Sequence, residues 1–301
     1  MNYIWRSTLT ITSDWHIHTR NSNDCQHFGI GGSIKDLIRH ASEKGIADLG
    51  FSDHVNIRSH LADLAASRKE FDEANPSPHV HFGVEISCMS QWELEQLATG
   101  DHGKPRAGIR SGGPPGAPVA LPITAEDIER YHVDYVLGAT HWPMYVPLER
   151  HAIIHDYHRQ NMFLATHPLV DIVGHPWWWA SGWQNPDGTI TTKPWLDDFT
   201  VIPQSMHDEF AAAVIEQDKA IELNLDGLLL CNVYPDGFKR QYLDFMAGIK
   251  EKGVQLSIGS DCHSADYDVD FETASKMLDS VGIRDEDLWC LPPRPTIPDG
   301  K

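Results

Sequence analysis

Positive charge is scarce in this sequence: 24 Lys and Arg face 43 Asp and Glu, a formal balance of 24 − 43 = −19. Such a chain repels duplex nucleic acid and anionic membrane surfaces, which excludes both as partners. Long apolar runs are also missing. No uncharged stretch approaches the ~18 residues of a membrane span, and Met1 to Trp15 lacks the basic segment and apolar core of a signal peptide. Cysteine is sparse, with five scattered residues and no CxxC, so a disulfide scaffold is excluded and a reducing, cytoplasmic setting is expected. No GxGxxG follows the first strand-like run, no internal repeat is visible, and nothing resembles a polymerase. What the chain does have is histidine: 18 residues in an otherwise acidic composition. Histidine with Asp and Glu is the usual ligand set for divalent metals.

A hydrophobic content of 41% with 22% charged residues is globular. Strand-like runs fall at Leu9 to His16, Ile46 to Ser52, Val80 to Ile86, Val133 to Ala139, Val170 to Val173, Ala220 to Leu223 and Gln255 to Ile258. Helical patterns lie between them. Ser33 caps one whose Ile34, Leu37, Ile38 and Ala41 recur at helical spacing; Thr124 and Asp127 resemble a capping box. Others run through Leu148 to Thr166, Met206 to Ile215 and Phe238 to Ile249, and Gly45, Gly253 and Gly282 sit where C-cap glycines do. About seven β–α units predict an α/β fold, a distorted (β/α)7 TIM-like barrel in a single domain spanning 1–301. Surface insertions are expected at about 100–122, rich in Gly and Pro, and 176–203, rich in Trp, with a Pro-rich tail at 291–301.

The ionisable residues gather at the carboxyl ends of these runs. The first ends in Asp14-Trp15-His16-Ile17-His18, the second in Asp53-His54 and the third in Glu85. His141 follows the fourth, His175 the fifth, Glu222 and Asn224 end the sixth, and Asp261-Cys262-His263 follows the seventh. Barrel enzymes build their sites at that face. Residues i and i+2 of a strand share a side, so both imidazoles of H-x-H can reach one ion.

In combination, the order H-x-H, D-H, E, H, G-H-P, D-x-H resembles the PHP family, named for polymerase and histidinol phosphatase, over Asp14 to His263. The segment from His16 to Asp24 is similar to its H-x-H-T-x-x-S-x-D opening. The resemblance implies a metal-dependent phosphoric ester hydrolase holding two or three divalent ions (Zn, Mn or Fe). It implies metal ligands at His16, His18, Asp24, His54, Glu85, His141, His175, Asp261 and His263. Within that set, His16, His18, Glu85 and Asp261 are expected around one ion, with Glu85 bridging to a second near His141. A third is expected between Asp24, His54 and His175. Glu222 and Asn224 resemble the family's E-x-N.

The expected reaction is hydrolysis of a small anionic phosphomonoester by a metal-bridging hydroxide, with His263 or Asp53 as proton donor. Alternatives are a phosphodiesterase, or a C–N or C–O hydrolase of amidohydrolase type on the same cluster. Arg20 and Arg58 are candidates to clamp a phosphate, and Asn224 to bond the substrate. Trp177, with Trp178 and Trp179, is a candidate aromatic wall. His151, His155 and His158 share a helix face and are expected to be solvated; His79 and His81 are expected to be structural. Cys262 should point away from the ions and is not expected to act as a nucleophile.

Overall fold

The structure, a computed structural model, describes residues 9–100, 108–179, 198–232 and 234–292, with positions 183, 184, 190, 191 and 196 between them. Its framework is a set of parallel strands alternating with helices. β1 (Ser13–Ile17) is followed by a second strand in two pieces, β2 (Asp48–Phe51) and β3 (His54–Val55). The third is also divided, into β4 (Val80–Phe82) and β5 (Val84–Ser87). β6 (Val136–Ala139), β7 (Ile172–Gly174), β8 (Ala220–Asn224) and β9 (Gln255–Gly259) complete the set. A three-stranded sheet runs β1-β2-β4, and a six-stranded sheet runs β9-β8-β7-β6-β5-β3. Every pairing within both is parallel. The chain just beyond β9 meets the end of β1: Ile17 and Cys262 form a parallel bridge, and the Asp261 N–H donates to His16 O at 2.7 Å.

All seven expected runs contain strands, with two differences. The first begins at Ser13 and the fourth at Val136, later than the apolar pattern suggests, although Leu9 and Ile11 are buried. The second and third are each broken, and a glycine in each packs against the buried Tyr135. Its ring lies against Gly50 and Gly83, where any Cβ would overlap it, and its hydroxyl donates to Trp15 O at 2.6 Å.

The helices are α1 (Asn23–Phe28), α2 (Ile34–Glu43), α3 (Leu61–Ala74), α4 (Gln91–Thr99) and α5 (Ala125–Arg130). They continue with α6 (Arg150–Thr166), α7 (Gln204–Glu216), α8 (Asp236–Lys250) and α9 (Phe271–Ser280). Local chemistry sets their ends. Ser33 Oγ accepts the Asp36 N–H at the start of α2, whose Ile34, Leu37 and Ala41 are buried as the spacing predicts. Thr124 and Asp127 form the capping box of α5. No helix among the described residues is long and apolar enough to cross a membrane.

The insertion expected at 100–122 is tied down over its second half. Val119–Ala120 pairs antiparallel with Met89–Ser90, and Arg159 Nη1 donates to Ala117 O at 2.7 Å; residues 101–107 lie outside the described residues. Of the insertion at 176–203, Trp195 and the Trp183 side chain lie outside the described residues, as does the tail from 293 onward.

A candidate metal centre at the strand ends

Strand alternation places His16 and His18 on one side of β1, separated by the buried Ile17. Their Nε2 atoms are 3.0 Å apart. Glu85, fully buried on β5, lies between two groups of imidazoles. Its Oε2 is 2.7 Å from His54 Nδ1, 3.2 Å from His16 Nε2 and 3.4 Å from His18 Nε2. Its Oε1 is 3.1 Å from His141 Nε2 and 3.0 Å from His175 Nε2. Asp261 Oδ1 closes on His18 at 3.2 Å and His16 at 3.5 Å. At the solvent edge, Asp24 Oδ2 lies 2.6 Å from His263 Nε2 and 3.4 Å from His54 Nε2.

All nine residues of the expected ligand set thus fall into overlapping groups able to hold an ion. The distribution differs from the expected one: Asp261 groups with His16 and His175 instead of with His18 and Glu85, and His54 also joins Glu85 and His141. His175 stands with His16 and Asp261, and not with Asp24 and His54, whose group is completed by His18 and His263. The physical cause is backbone direction. His175 sits at φ 22° just past β7, and Asp261 at φ 59° just past β9, conformations that L residues adopt at a cost of about 1–3 kcal/mol.

The donor set fits divalent ions. Burial raises the carboxyl pKa of Glu85, but the His54, His16 and His141 imidazoles outweigh it and hold Glu85 well below the carboxylate range. Burial pushes His18 down to about 3 and His141 to about 4. Glu85 Oε2 makes no hydrogen bond despite three neighbouring imidazole nitrogens, and His175 Nδ1 and His54 Nδ1 are likewise buried without one. Buried polar atoms without partners are costly. Here lone pairs converge where a cation would satisfy them.

The surrounding residues orient these ligands. His16 Nδ1 donates to Glu222 Oε1 at 2.6 Å, which leaves the Nε2 lone pair facing Glu85. Glu222 Oε2 accepts the His175 N–H at 2.5 Å. Ser87 Oγ lies 2.7 Å from His141 Nδ1. Asp14 accepts from Ser260 N–H at 2.8 Å and Tyr267 Oη at 2.6 Å, tying the last strand end to the first; burial raises it to about 6.

Several expected roles are not supported by these positions. Asp53 faces away from the cluster and accepts from Thr19 N–H at 2.6 Å, Thr19 Oγ1 at 2.7 Å and Ser67 Oγ, so it holds the loop after His18. It is not poised as a proton donor. Asn224 is spent internally: its Nδ2 donates to Asp261 Oδ2 at 3.2 Å and its Oδ1 accepts the Gly227 N–H at 2.8 Å. Arg20 pairs with Glu70 at 3.2 Å and Arg58 with Asp127 at 3.0 Å, both outside the metal groups. Trp177, at φ 70°, is fully buried against His158 and His207. Trp178 takes the wall position instead, its ring 5.6 Å from His141 and 5.5 Å from His175, with Trp142 at 5.2 Å from His141.

Other histidines behave as expected, with one exception. His151 and His155 are exposed, with their Nε2 atoms 3.1 Å apart, but His158 departs from the solvated face: it is largely buried and turns to Glu209 at 2.9 Å. His79 bonds Asp48 at 2.8 Å and His81 packs on Trp15. The Cys262 thiol is buried, donates to Ser264 O at 3.7 Å, and is pushed up by burial.

No family model and no curated protein matches the chain. Solved structures do. A histidinol phosphate phosphatase from Lactococcus lactis, complexed with zinc, L-histidinol and phosphate, aligns at TM-score 0.54 and 13% identity over 91% of this chain and 94% of its own. A Listeria monocytogenes protein described as a putative histidinol phosphatase aligns at TM-score 0.54 and 11% identity, over 87% and 99%. The chain has their fold. At such identities the likeness carries the architecture and leaves the chemistry to the site.

Proposed function

We propose that this protein is a metal-dependent phosphomonoesterase acting on a small anionic substrate, of the kind its histidinol phosphatase neighbours handle. The observation that carries the reading is Glu85, a buried carboxylate whose two oxygens face two separate sets of imidazoles. His16, His18 and Glu85, with His175 and Asp261 beside His16, would hold one ion, Glu85 with His54 and His141 a second, and Asp24, His54 and His263, with His18, a third. When bound, divalent ions there supply hydroxide from water near neutral pH and offset charge on phosphoryl oxygens. We also infer one distorted (β/α)7 barrel domain, supported by the bridge between Ile17 and Cys262.

The chain's own residues do the rest. Glu222 keeps the proton of His16 on Nδ1 and its Nε2 free. His263, at the open edge, donates from Nδ1 to Asp261 O at 2.8 Å, which turns its Nε2 toward Asp24 as a ligand, so water at that edge would supply the proton to a departing alkoxide. Trp178 and Trp142 narrow the approach beside His141 and His175 and exclude water from that side. The test is a panel of phosphomonoesters, including p-nitrophenyl phosphate and histidinol phosphate, beside phosphodiesters and amides. Release of phosphate from monoesters is expected. Turnover confined to diesters or amides would overturn the assignment.

A further inference from the structure

The proposed reaction needs a cationic side chain for the phosphoryl group, and the two arginines nearest the motifs in sequence are engaged elsewhere. The described arginines show what this acidic chain does with guanidinium groups. Six of the ten described arginines, Arg20, Arg39, Arg58, Arg68, Arg159 and Arg284, make ion pairs with carboxylates, while Arg130 lies over the neighbouring Tyr131 ring. Arg110 makes no such pair. It lies with its guanidinium carbon 3.4 Å from the centre of the Trp142 ring. Among the described residues its side chain makes no hydrogen bond or ion pair, and its Nε is buried without a partner. Glu93 acts on it only through space.

That position is built. The Ile109 N–H donates to Glu93 Oε1 at 2.6 Å, and Ile109 O accepts from Tyr145 Oη at 3.1 Å, which fixes the backbone on the N-terminal side of Arg110. Trp142 O accepts from Gln160 Nε2 at 3.0 Å, which holds the backbone that carries the indole. Trp142 adjoins His141 in sequence and packs on its ring. A desolvated guanidinium whose nearby carboxylate, Glu93, makes no ion pair with it is unfavourable. Burial accordingly pushes the Arg110 pKa down to about 9, partly opposed by Glu93. An incoming dianion would relieve that cost, and the planar fork of arginine suits two phosphoryl oxygens.

We propose that Arg110, laid on Trp142 beside His141, binds the phosphoryl group of the substrate. The proposal rests on the phosphatase reading and adds a substrate-binding residue to it. Its test uses the full-length, metal-loaded protein with Arg110→Met, which keeps the stacked stem without the charge, and Arg110→Lys, which keeps a point charge without the fork. Inorganic phosphate is the probe, measured by calorimetry and as an inhibitor of p-nitrophenyl phosphate hydrolysis. Arg110→Met should weaken phosphate binding and lower kcat/KM by about ten- to a hundredfold each, with metal content and melting temperature unchanged. Arg110→Lys should recover part of both. Wild-type phosphate affinity and kcat/KM in Arg110→Met would overturn the proposal while leaving the phosphatase reading intact. A wild-type protein that neither hydrolyses phosphomonoesters nor binds phosphate would overturn both.

Discussion

Replacing Glu222 by Gln isolates how much the protein, as opposed to its ligands alone, sets metal affinity. Glu222 is fully buried and touches no expected ion; its Oε1 accepts from His16 Nδ1 and, at 3.3 Å, from Asn224 Nδ2, and its Oε2 accepts from the His175 N–H. A backbone N–H can only donate, so the amide oxygen of the introduced glutamine must face His175. Its NH2 then faces His16 Nδ1, which must become an acceptor. The imidazole proton moves to Nε2, the atom that lies between Glu85, His18 and Asp261. One ligand is thereby blocked without removing any ligand. Losing such an orienting partner costs about 10- to 100-fold in metal affinity, which corresponds to roughly 1.4–2.8 kcal/mol. Competition for zinc with a chromophoric chelator, on wild type and Glu222→Gln, reads this directly, with circular dichroism to confirm the fold. Equal affinities would refute the tautomer argument.

Two further predictions concern the scaffold. Gly83→Ala puts a methyl group into the Tyr135 ring and should cost about 1–3 kcal/mol in urea melts; in a Tyr135→Val background the same change should cost far less, and equal costs would contradict the packing account. His207 is buried against Phe199 and Phe245, and burial lowers its pKa from 6.5 to about 4. Between those values the unfolded chain takes up a proton that the folded chain refuses, so stability falls as pH drops through 6.5 toward 4. From pH 7.5 to 5.0 this group should account for at most about 2 kcal/mol of lost stability. His207→Gln should lose less over that interval, and an unchanged difference would refute the assignment.

Eight of the nine candidate ligands were legible because each sits on or just beyond a strand, while Asp24, in α1, came only with the resemblance of the His16 to Asp24 segment. The sorting of all nine was not legible, because it depends on side-chain direction where the backbone leaves regular structure. His175 at φ 22° and Trp177 at φ 70° show this: the turn carries Trp177 into the core and leaves Trp178 beside the cluster. Asp53 was misread although a signal existed. Neighbours in an extended segment point to opposite sides, and the reasoning that turns Cys262 away from its flanking ligands applies equally to Asp53 beside His54. The need for glycine at 50 and 83 arises from Tyr135, a contact remote in sequence from both. Arg110 had no sequence signal at all, since it lies in a Gly- and Pro-rich stretch far from every motif and meets Trp142 only through the fold. Trp142 itself could have been found, as the immediate neighbour of His141.

The most direct test of the central claim is reconstitution. Protein stripped with chelator is titrated with Zn²⁺ or Mn²⁺ while bound metal and release of phosphate from p-nitrophenyl phosphate are followed together, in wild type and in Glu85→Gln. The account predicts no hydrolysis without metal, activity that rises as more than one equivalent binds, and loss of both tight binding and turnover in Glu85→Gln. Phosphate release from the metal-free protein, or a Glu85→Gln variant that binds metal and turns over like wild type, would contradict it.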